Sequence, residues 1–581
     1  MWKTLTAIRF DSGTGALPVV PRMIAGSSML TEPADHVGAN PDADEAVDQL
    51  RADYDTTPYV SDSFPQSARG QLAATAHLFG LETPPVSNAR VLEIGCATGS
   101  NVIPFAAAHP QACVVGIDLS RVHIDQGRQR LQAAGLNNLE LLEGDIASMD
   151  LAALGQFDYI IAHGVYSWVP QNVQDAILSA FRRLLAPEGV AYISYNVYPG
   201  WKSKEIVRDA MLLASRGSVT PDEKARSARG MVDFLEEVAA ADTPLARAVA
   251  EFRARDEGFG DAYLLHDELE TFNLPCYFIE MVERAGVHGL AYLAEARPEV
   301  MFPGNYGPKV AEHVLEQCGG VQMLVEQYLD FVADRAFRES LLIHAERMPQ
   351  IRYNLDASRY GRLHFAARVP PVEGQTRLDR SRQGYVSAGG ATLFTDDPGI
   401  KAALDALTDR SPWTLSHREL MDAVNARLGA AGIDAGGDLQ ERIDHLIGAL
   451  IFQGQVRCRV DAVLPEPAST PLRLDEPFRR IAEFTCGNRE AFTFNLWHET
   501  VALSPLDGHL LPLLDGTRNR DALVEEMLAI VHANLIGIEL DGRRVTDEAE
   551  LRDVLAQYVE AVPQRLEEMK LVRVGDPADA G

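Results

Sequence analysis

Five short apolar runs, at 90–95, 113–118, 139–143, 157–162 and 190–195, alternate with helical patterns through the first two hundred residues. Nothing else in the chain restricts the fold as much. Short buried β runs separated by helices predict a mostly parallel sheet with right-handed crossovers. In such sheets ligands bind beyond the carboxyl ends of the strands, near the point where strand order reverses. The residues directly after each run are therefore the informative ones.

The first run lies in ARVLEIGCATGSN (89–101), where Val91-Leu92-Glu93-Ile94 breaks at Gly95-Cys96-Ala97-Thr98-Gly99. Glycine lacks Cβ and tolerates positive φ, so such a turn lets backbone approach a ligand closely. The spacing is GxxxG, unlike the GxGxxG of a dinucleotide fold, and it lacks the GK[ST] ending of a phosphate loop. After the second run, VVGIDLS places Asp118 nineteen residues beyond Gly99, about where an acid accepts hydrogen bonds from a ribose diol. Ser120 is set to cap a helix that begins near Arg121. After the third run, LLEGDIASM places Asp145 where an adenine amino group can donate to it. A glycine turn, a ribose acid and a second acid, without phosphate apparatus, suit a nucleoside joined to an amino acid. A tight turn beside two solvated strand ends explains each feature singly, but not their shared register with the strands.

At these positions the chain resembles the class I S-adenosylmethionine-dependent methyltransferases. Glu93, Gly95, Cys96 and Gly99 match the first motif of that superfamily, Asp118 the second and Asp145 the third. The resemblance implies S-adenosyl-L-methionine as cofactor, with the glycine loop cradling its methionine end. Ala97, Asn101, Leu119, Ile146 and His163 complete the implied set of cofactor contacts. The flanks YDTTPYVSDSF (54–64), LAATAHLFGL (72–81), AHGVYSWVP (162–170) and SYNVYPGW (194–201) resemble bacterial methyltransferases that carry a methyltransferase regulatory domain. That group includes rickettsial lysine methyltransferases acting on outer membrane proteins. Further matches at 266–296, 328–345 and 510–527 extend the resemblance over most of the chain from about residue 50. One stretch departs from it: Gln66-Ser67-Ala68-Arg69 stands where the family has a Thr-His-Pro-like sequence, which bears on the entrance to the substrate pocket.

Methyl transfer is an in-line displacement, and aligning the nucleophile in a dry site is worth roughly 7–11 kcal/mol. Tyr54, Tyr59, Tyr166, Trp168, Tyr195, Tyr198 and Trp201 fall in the flanking motifs, at expected strand ends and loops. Their rings suit a narrow channel that holds an amine or methylammonium by cation–π contact, and each is equally suited to ordinary packing. His163 follows the fourth run and is a candidate proton relay. The catalytic candidates are thus Tyr54, Tyr59, His163, Tyr166, Trp168 and Tyr195. No metal ligands, carboxylate pair or Ser-His-Asp order competes with them.

At 581 residues several domains are expected. Residues 1–45 read as poorly ordered, and Met23 or Met29 is a possible start. Residues 46–204 form the cofactor-binding domain. Residues 205–288 read as an inserted helical regulatory domain, with a capping box and leading proline at Thr220-Pro221-Asp222-Glu223. Residues 289–368 return to the sheet with its last two strands, at 289–296 and 340–345. Polar linkers at 369–382 and 461–477 set off a winged-helix-like middle domain (383–460) and a C-terminal helical domain (478–577). In the middle domain, IFQGQVRCRV (451–460) reads as a strand pair or wing. The fold class is therefore α/β, a Rossmann-like methyltransferase sheet with a helical insertion and mostly helical winged-helix-like modules.

Lys+Arg 53 against Asp+Glu 83 gives a net charge of −30, which argues against a nucleic-acid partner and suits a lysine-rich protein substrate. The six cysteines, at 96, 113, 276, 318, 458 and 486, form no CxxC pair, as expected of reduced thiols in a cytoplasmic protein. No run is long enough to span a bilayer, and no export signal is read. Protein-lysine N-methylation is the leading expectation. A small-molecule or natural-product methyltransferase and an inactive cofactor-binding interaction protein are the alternatives, and a homodimer is possible.

Overall fold

Seven strands form one sheet in the computed structural model of the protein, which describes residues 43–56, 61–256, 264–434, 436–465, 468–488, 490–540 and 543–572. They are β1 (Arg90–Ile94), β2 (Cys113–Asp118), β3 (Leu139–Glu143), β4 (Phe157–Ala162), β5 (Leu185–Asn196), β6 (Leu290–Glu295) and β7 (Phe337–His344), in the spatial order β3-β2-β1-β4-β5-β7-β6. The first five pair in parallel, while β7 runs antiparallel to both β5 and β6. Strand order reverses between β1 and β4, the place where an open α/β sheet leaves a crevice. The sheet is apolar on both faces, as parallel sheets covered by helices are: every residue of β5 from Val190 to Asn196 is buried.

The crossover helices begin and end where their sequences dictate. Ser120 Oγ accepts from His123 N to start Arg121–Ala134, and Gly135 at φ +70° ends it. Between β5 and β6 lie the helices Trp201–Ala214, Pro221–Val238 and Pro244–Asp256. The Thr220–Glu223 capping box opens the second of them. With Leu264 and Leu269 these helices close a separate small core around Val207, Met211, Val232 and Phe252. The next helix, Phe278–Val287, instead packs Phe278, Met281 and Ala285 into the core of the main sheet. Two helices, Pro308–Cys318 and Gln322–Ala333, stand between β6 and β7.

Beyond β7 the middle module has its own core. The stretch 369–382 is tied down rather than free: the buried Lys401 ammonium donates to the carbonyls of Arg377, Asp379 and Ser381 at 2.9, 2.7 and 2.6 Å. IFQGQVRCRV does not form a strand pair within itself. Ile451 and Phe452 end the helix Leu439–Phe452, and Arg457–Arg459 pairs with the distant His364–Ala366. The C-terminal module is joined to the sheet domain through a shared core: Phe478, Ile481 and Phe494 lie in the same apolar cluster as β1 to β5. Its last helix, Val562–Glu568, leads to a bend at 571–572. Residues 1–42, on which most of the disorder expectation falls, and Tyr59 lie outside the described residues.

Candidate active site

The turn after β1 is built by backbone that only small residues tolerate. Gly95 has φ +73° and Gly99 φ +80°. A Cβ on Gly95 would stand 2.2 Å from Val165 Cγ2 in the loop after β4. The amides of Gly95 and Cys96 both donate to Ile117 O, at 2.8 and 3.0 Å, which draws the loop across the end of β2. Ala97 N donates to Asp118 Oδ2 at 2.7 Å, and Ser120 N to Asp118 Oδ1 at 2.9 Å. Asp118 thus braces the glycine loop while its carboxylate borders the space above. Asp145 accepts from Ala147 N and Ser148 Oγ, both at 2.9 Å, so its own turn orients it.

These residues line one cavity of about 380 Å³ over the carboxyl ends of the strands. Of the expected cofactor contacts, Glu93, Gly95, Cys96, Ala97, Asn101, Asp118, Leu119, Asp145, Ile146 and His163 are in its wall; Gly99 shapes the loop from behind. Glu93 is fully buried. Asn101 Nδ2 donates to its Oε1 at 2.8 Å, while Oε2 has no hydrogen-bond partner among the described residues. Burial raises its carboxyl to about 7, with Asp118 adding to the rise and Arg69 and Asn101 opposing it.

The aromatic candidates divide. Tyr54, Trp168 and Trp201 face the cavity, the two indoles edge to face at 6.1 Å. Tyr166 and Tyr195 stand behind the wall, in the core, with their rings 6.3 Å apart and Tyr195 OH 3.0 Å from Ser340 Oγ. Tyr198 bonds Glu205 at 2.6 Å and holds the Lys202 ammonium over its ring at 4.1 Å, outside the cavity. The six of these rings that lie among the described residues therefore do not form a single channel. The Gln66–Arg69 stretch is also off the cavity: Gln66 Nε2 donates to Glu339 Oε1 at 2.7 Å, and Arg69 is buried beside Asn101.

His163 stacks on Phe64 with ring centroids 3.7 Å apart, and its Nδ1 lies 2.8 Å from Tyr192 OH, which in turn donates to Glu339 Oε1 at 3.4 Å. Burial lowers its pKa to about 3, so the ring is neutral at physiological pH.

Several wall residues escaped sequence reasoning: Asp62, Phe64, His123, Phe337, and Arg255, His266 and Glu268 from the insertion. His266 stacks flat on Tyr54 at 5.0 Å, which roofs the cavity beside His123 and Asp118. Asp55 Oδ1, one residue on, accepts from Ser120 Oγ at 2.6 Å and pins that roof to the sheet. From far down the chain His498 Nε2 reaches within 2.9 Å of Asn101 Oδ1. These residues lie in loops, on helices or, for Phe337, at the start of β7, in other parts of the chain. Asp62 and Phe64 belong to YDTTPYVSDSF, Phe337 to the match at 328–345, and His266 and Glu268 to the match at 266–296, but nothing in those stretches marks these particular side chains as facing a ligand.

Three protein-family models match the chain: a methyltransferase domain over 91–189, a predicted methyltransferase regulatory domain over 260–344, and the C-terminal winged helix domain of PKMT over 479–571. The uncharacterized protein RP789 of Rickettsia prowazekii is 30% identical over 516 residues, covering 86% of this chain and 90% of its own length. The solved structure of PKMT2 from Rickettsia typhi covers 89% of this chain and 100% of its own at 27% identity, with a TM-score of 0.76. A second structure of PKMT2 is a complex with AdoHcy. The chain belongs to the class I S-adenosylmethionine-dependent methyltransferases. It is similar along nearly its whole length to the rickettsial PKMTs, and S-adenosylmethionine is its cofactor. The regulatory-domain match takes in β6 and β7 as well as the end of the insertion.

The cavity of this methyltransferase suits that cofactor in its donor set. Glu93, in the cavity wall, carries an orphaned buried acceptor in Oε2, of a kind that accepts from an ammonium, and Gly95 leaves open the space that a Cβ would disturb. Asp118 and Asp145 present acids at the ends of adjacent strands, suited to a ribose and an adenine.

Proposed function

We propose that this methyltransferase transfers methyl groups to lysine side-chain amines of a protein substrate. The observation that carries the reading is the reach of the similarity: PKMT2 matches the insertion and both later modules, not the cofactor domain alone. Glu93 would hold the amino-acid end of the cofactor, Asp118 the ribose and Asp145 with Ile146 the adenine, with Gly95, Cys96, Ala97, Gly99, Asn101, Leu119 and His163 shaping the rest. Bound there, the cofactor supplies an electrophilic methyl group on a sulfonium.

The chain's part is to deliver an uncharged amine along the line of displacement. A lysine amine has a reference pKa of about 10.4, so neutralising it near pH 7 costs roughly 4–5 kcal/mol. Trp168, Trp201 and Phe337 offer an apolar wall, and desolvation there lowers the amine's pKa. His163 adds no cation to this space, since burial keeps it neutral. Its Nδ1 is engaged by Tyr192, which leaves Nε2 as the ring nitrogen available to orient the amine. Tyr166 and Tyr195 support this wall from behind; Tyr59 is retained as a candidate. The domain division goes with this reading: sheet domain at 46–204 and from 278 to 368, helical insertion between them, then modules at 383–460 and from 478. We place the end of the insertion before Phe278 because that helix shares the sheet's core.

Incubation of the full chain with methyl-labelled cofactor and lysine-rich proteins tests the reading. The expected product is ε-N-methyllysine in the acceptor, located by peptide mass spectrometry. Label transferred to small-molecule acceptors with none bound to protein would overturn it.

A further inference from the structure

The C-terminal module sends a hairpin, Phe492–Phe494 against Thr500–Ala502, into the methyltransferase half of the molecule. At its tip His498 is buried with φ +62°, held by a turn in which Asn495 Oδ1 accepts from Trp497 N and Glu499 N at 2.9 and 3.2 Å. The hairpin also grips the segment that walls the cavity: Thr500 Oγ1 is 2.8 Å from Ser63 Oγ and bonds Asp62. Asp62 and Phe64 both line the cavity.

The hydrogen bonds around Asn101 settle which way its amide points. Phe64 N, a donor only, lies 2.8 Å from Oδ1, and Glu93 Oε1 lies 2.8 Å from Nδ2. With Oδ1 an acceptor, His498 Nε2 at 2.9 Å must be the protonated ring nitrogen and donate to it. His498 thus joins Glu93 and Ser67, whose Oγ lies 3.1 Å from Nδ2 and 3.2 Å from Oδ1, in holding the amide that satisfies one oxygen of Glu93 and leaves Oε2 for a ligand. Without that donor the amide is freer to turn, and a buried carboxyl short of a donor favours its protonated form.

We infer that His498 is a positioning residue for the amino-acid end of the cofactor, so that the C-terminal winged-helix module completes the cofactor site through His498, Asn101 and Glu93. The inference rests on the placement of the cofactor's ammonium at Glu93 proposed above. It makes a distant module part of cofactor recognition, not only of the fold.

Calorimetric titration of the full chain with two ligands tests it. S-adenosylhomocysteine carries the amino-acid end; 5′-methylthioadenosine lacks it. His498→Leu is expected to weaken S-adenosylhomocysteine about tenfold, the scale of one lost hydrogen bond to a buried polar network, and to change methylthioadenosine by less than about twofold. His498→Gln, whose side-chain N–H can reach Oδ1, is expected to retain most of the affinity. In a Glu93→Gln background, His498→Leu should add no further loss. Equal weakening of both ligands would overturn the inference in favour of a loosened wall, and unchanged S-adenosylhomocysteine affinity would overturn it outright. If Glu93→Gln by itself binds S-adenosylhomocysteine normally, the placement at Glu93 fails and the inference with it. If Glu93→Gln weakens binding and His498→Leu does not, the placement stands and only the inference fails. Should circular dichroism find His498→Leu unfolded, His498→Asn, whose shorter amide falls short of Oδ1, carries the same expectations.

Discussion

Glu93 combines full burial with an unpaired oxygen, and this couples cofactor binding to pH. Its carboxyl is raised to about 7 by burial, with Asp118 contributing and the Arg69 guanidinium opposing. An ammonium ligand requires the carboxylate, so below pH 7 binding must release a proton. Affinity for S-adenosylhomocysteine should therefore fall as pH drops below about 7, approaching tenfold per unit. Calorimetry in buffers of different ionisation enthalpy checks it; Glu93→Gln should flatten the slope. The imidazole of His163 should leave no signature in the same range, since its pKa is lowered to about 3. Gly95→Ala meets both a positive φ and Val165 Cγ2 at 2.2 Å. It should cost at least about 1–2 kcal/mol by denaturant titration and reduce cofactor binding. Residues such as Glu93, Gly95 and Asp118 were legible because their types and spacing sit in register with strand ends. Tyr166 and Tyr195 were not. Tyr195 lies on a strand buried along both faces, where no alternation of polar and apolar residues tells which way a tyrosine points, and Tyr166 opens the short helical turn Tyr166–Trp168, buried throughout and so equally without a polar side to orient it.

The elements that roof the cavity come from two distant segments, the helix Ala43–Thr56 and the turn Leu264–Glu268. Their joint is the flat stack of Tyr54 on His266. An aromatic pair of this kind contributes roughly 0.5–1.5 kcal/mol beyond its burial. Tyr54→Ala should accordingly speed S-adenosylhomocysteine release by about three- to tenfold in stopped-flow displacement, with Tyr54→Phe near wild type. The five early strands and the caps at Ser120 and Thr220 could be read from the chain because their signals are local. The roof and the pairing of the wing strand Arg457–Arg459 could not. Each is completed by a partner some hundred residues or more away, His364–Ala366 in the case of the wing, and local periodicity carries no record of such pairings.

Across the whole molecule, the sheet's far side is anchored by charge. Arg338 on β7 is fully buried and bonds Glu295 on β6 at 2.7 Å and Glu326 and Asp330 on the adjoining helix at 3.1 and 2.8 Å, with Arg335 beside them. Arg338→Leu would leave three buried carboxyl groups with one remaining guanidinium. It should cost about 3–5 kcal/mol in urea unfolding, more than a surface ion pair could. On the opposite flank the hairpin carrying His498 joins Asn101 across 397 residues of chain. A ribosome adding roughly 5–20 residues per second needs about 20–80 s to cover that distance. During that interval the glycine loop already exists in the nascent polypeptide without the side chain that steadies its asparagine. A newly made molecule therefore acquires its finished cofactor pocket only once synthesis has passed residue 498, and a message cut short before that codon yields a protein with strands in place and no histidine to close the site.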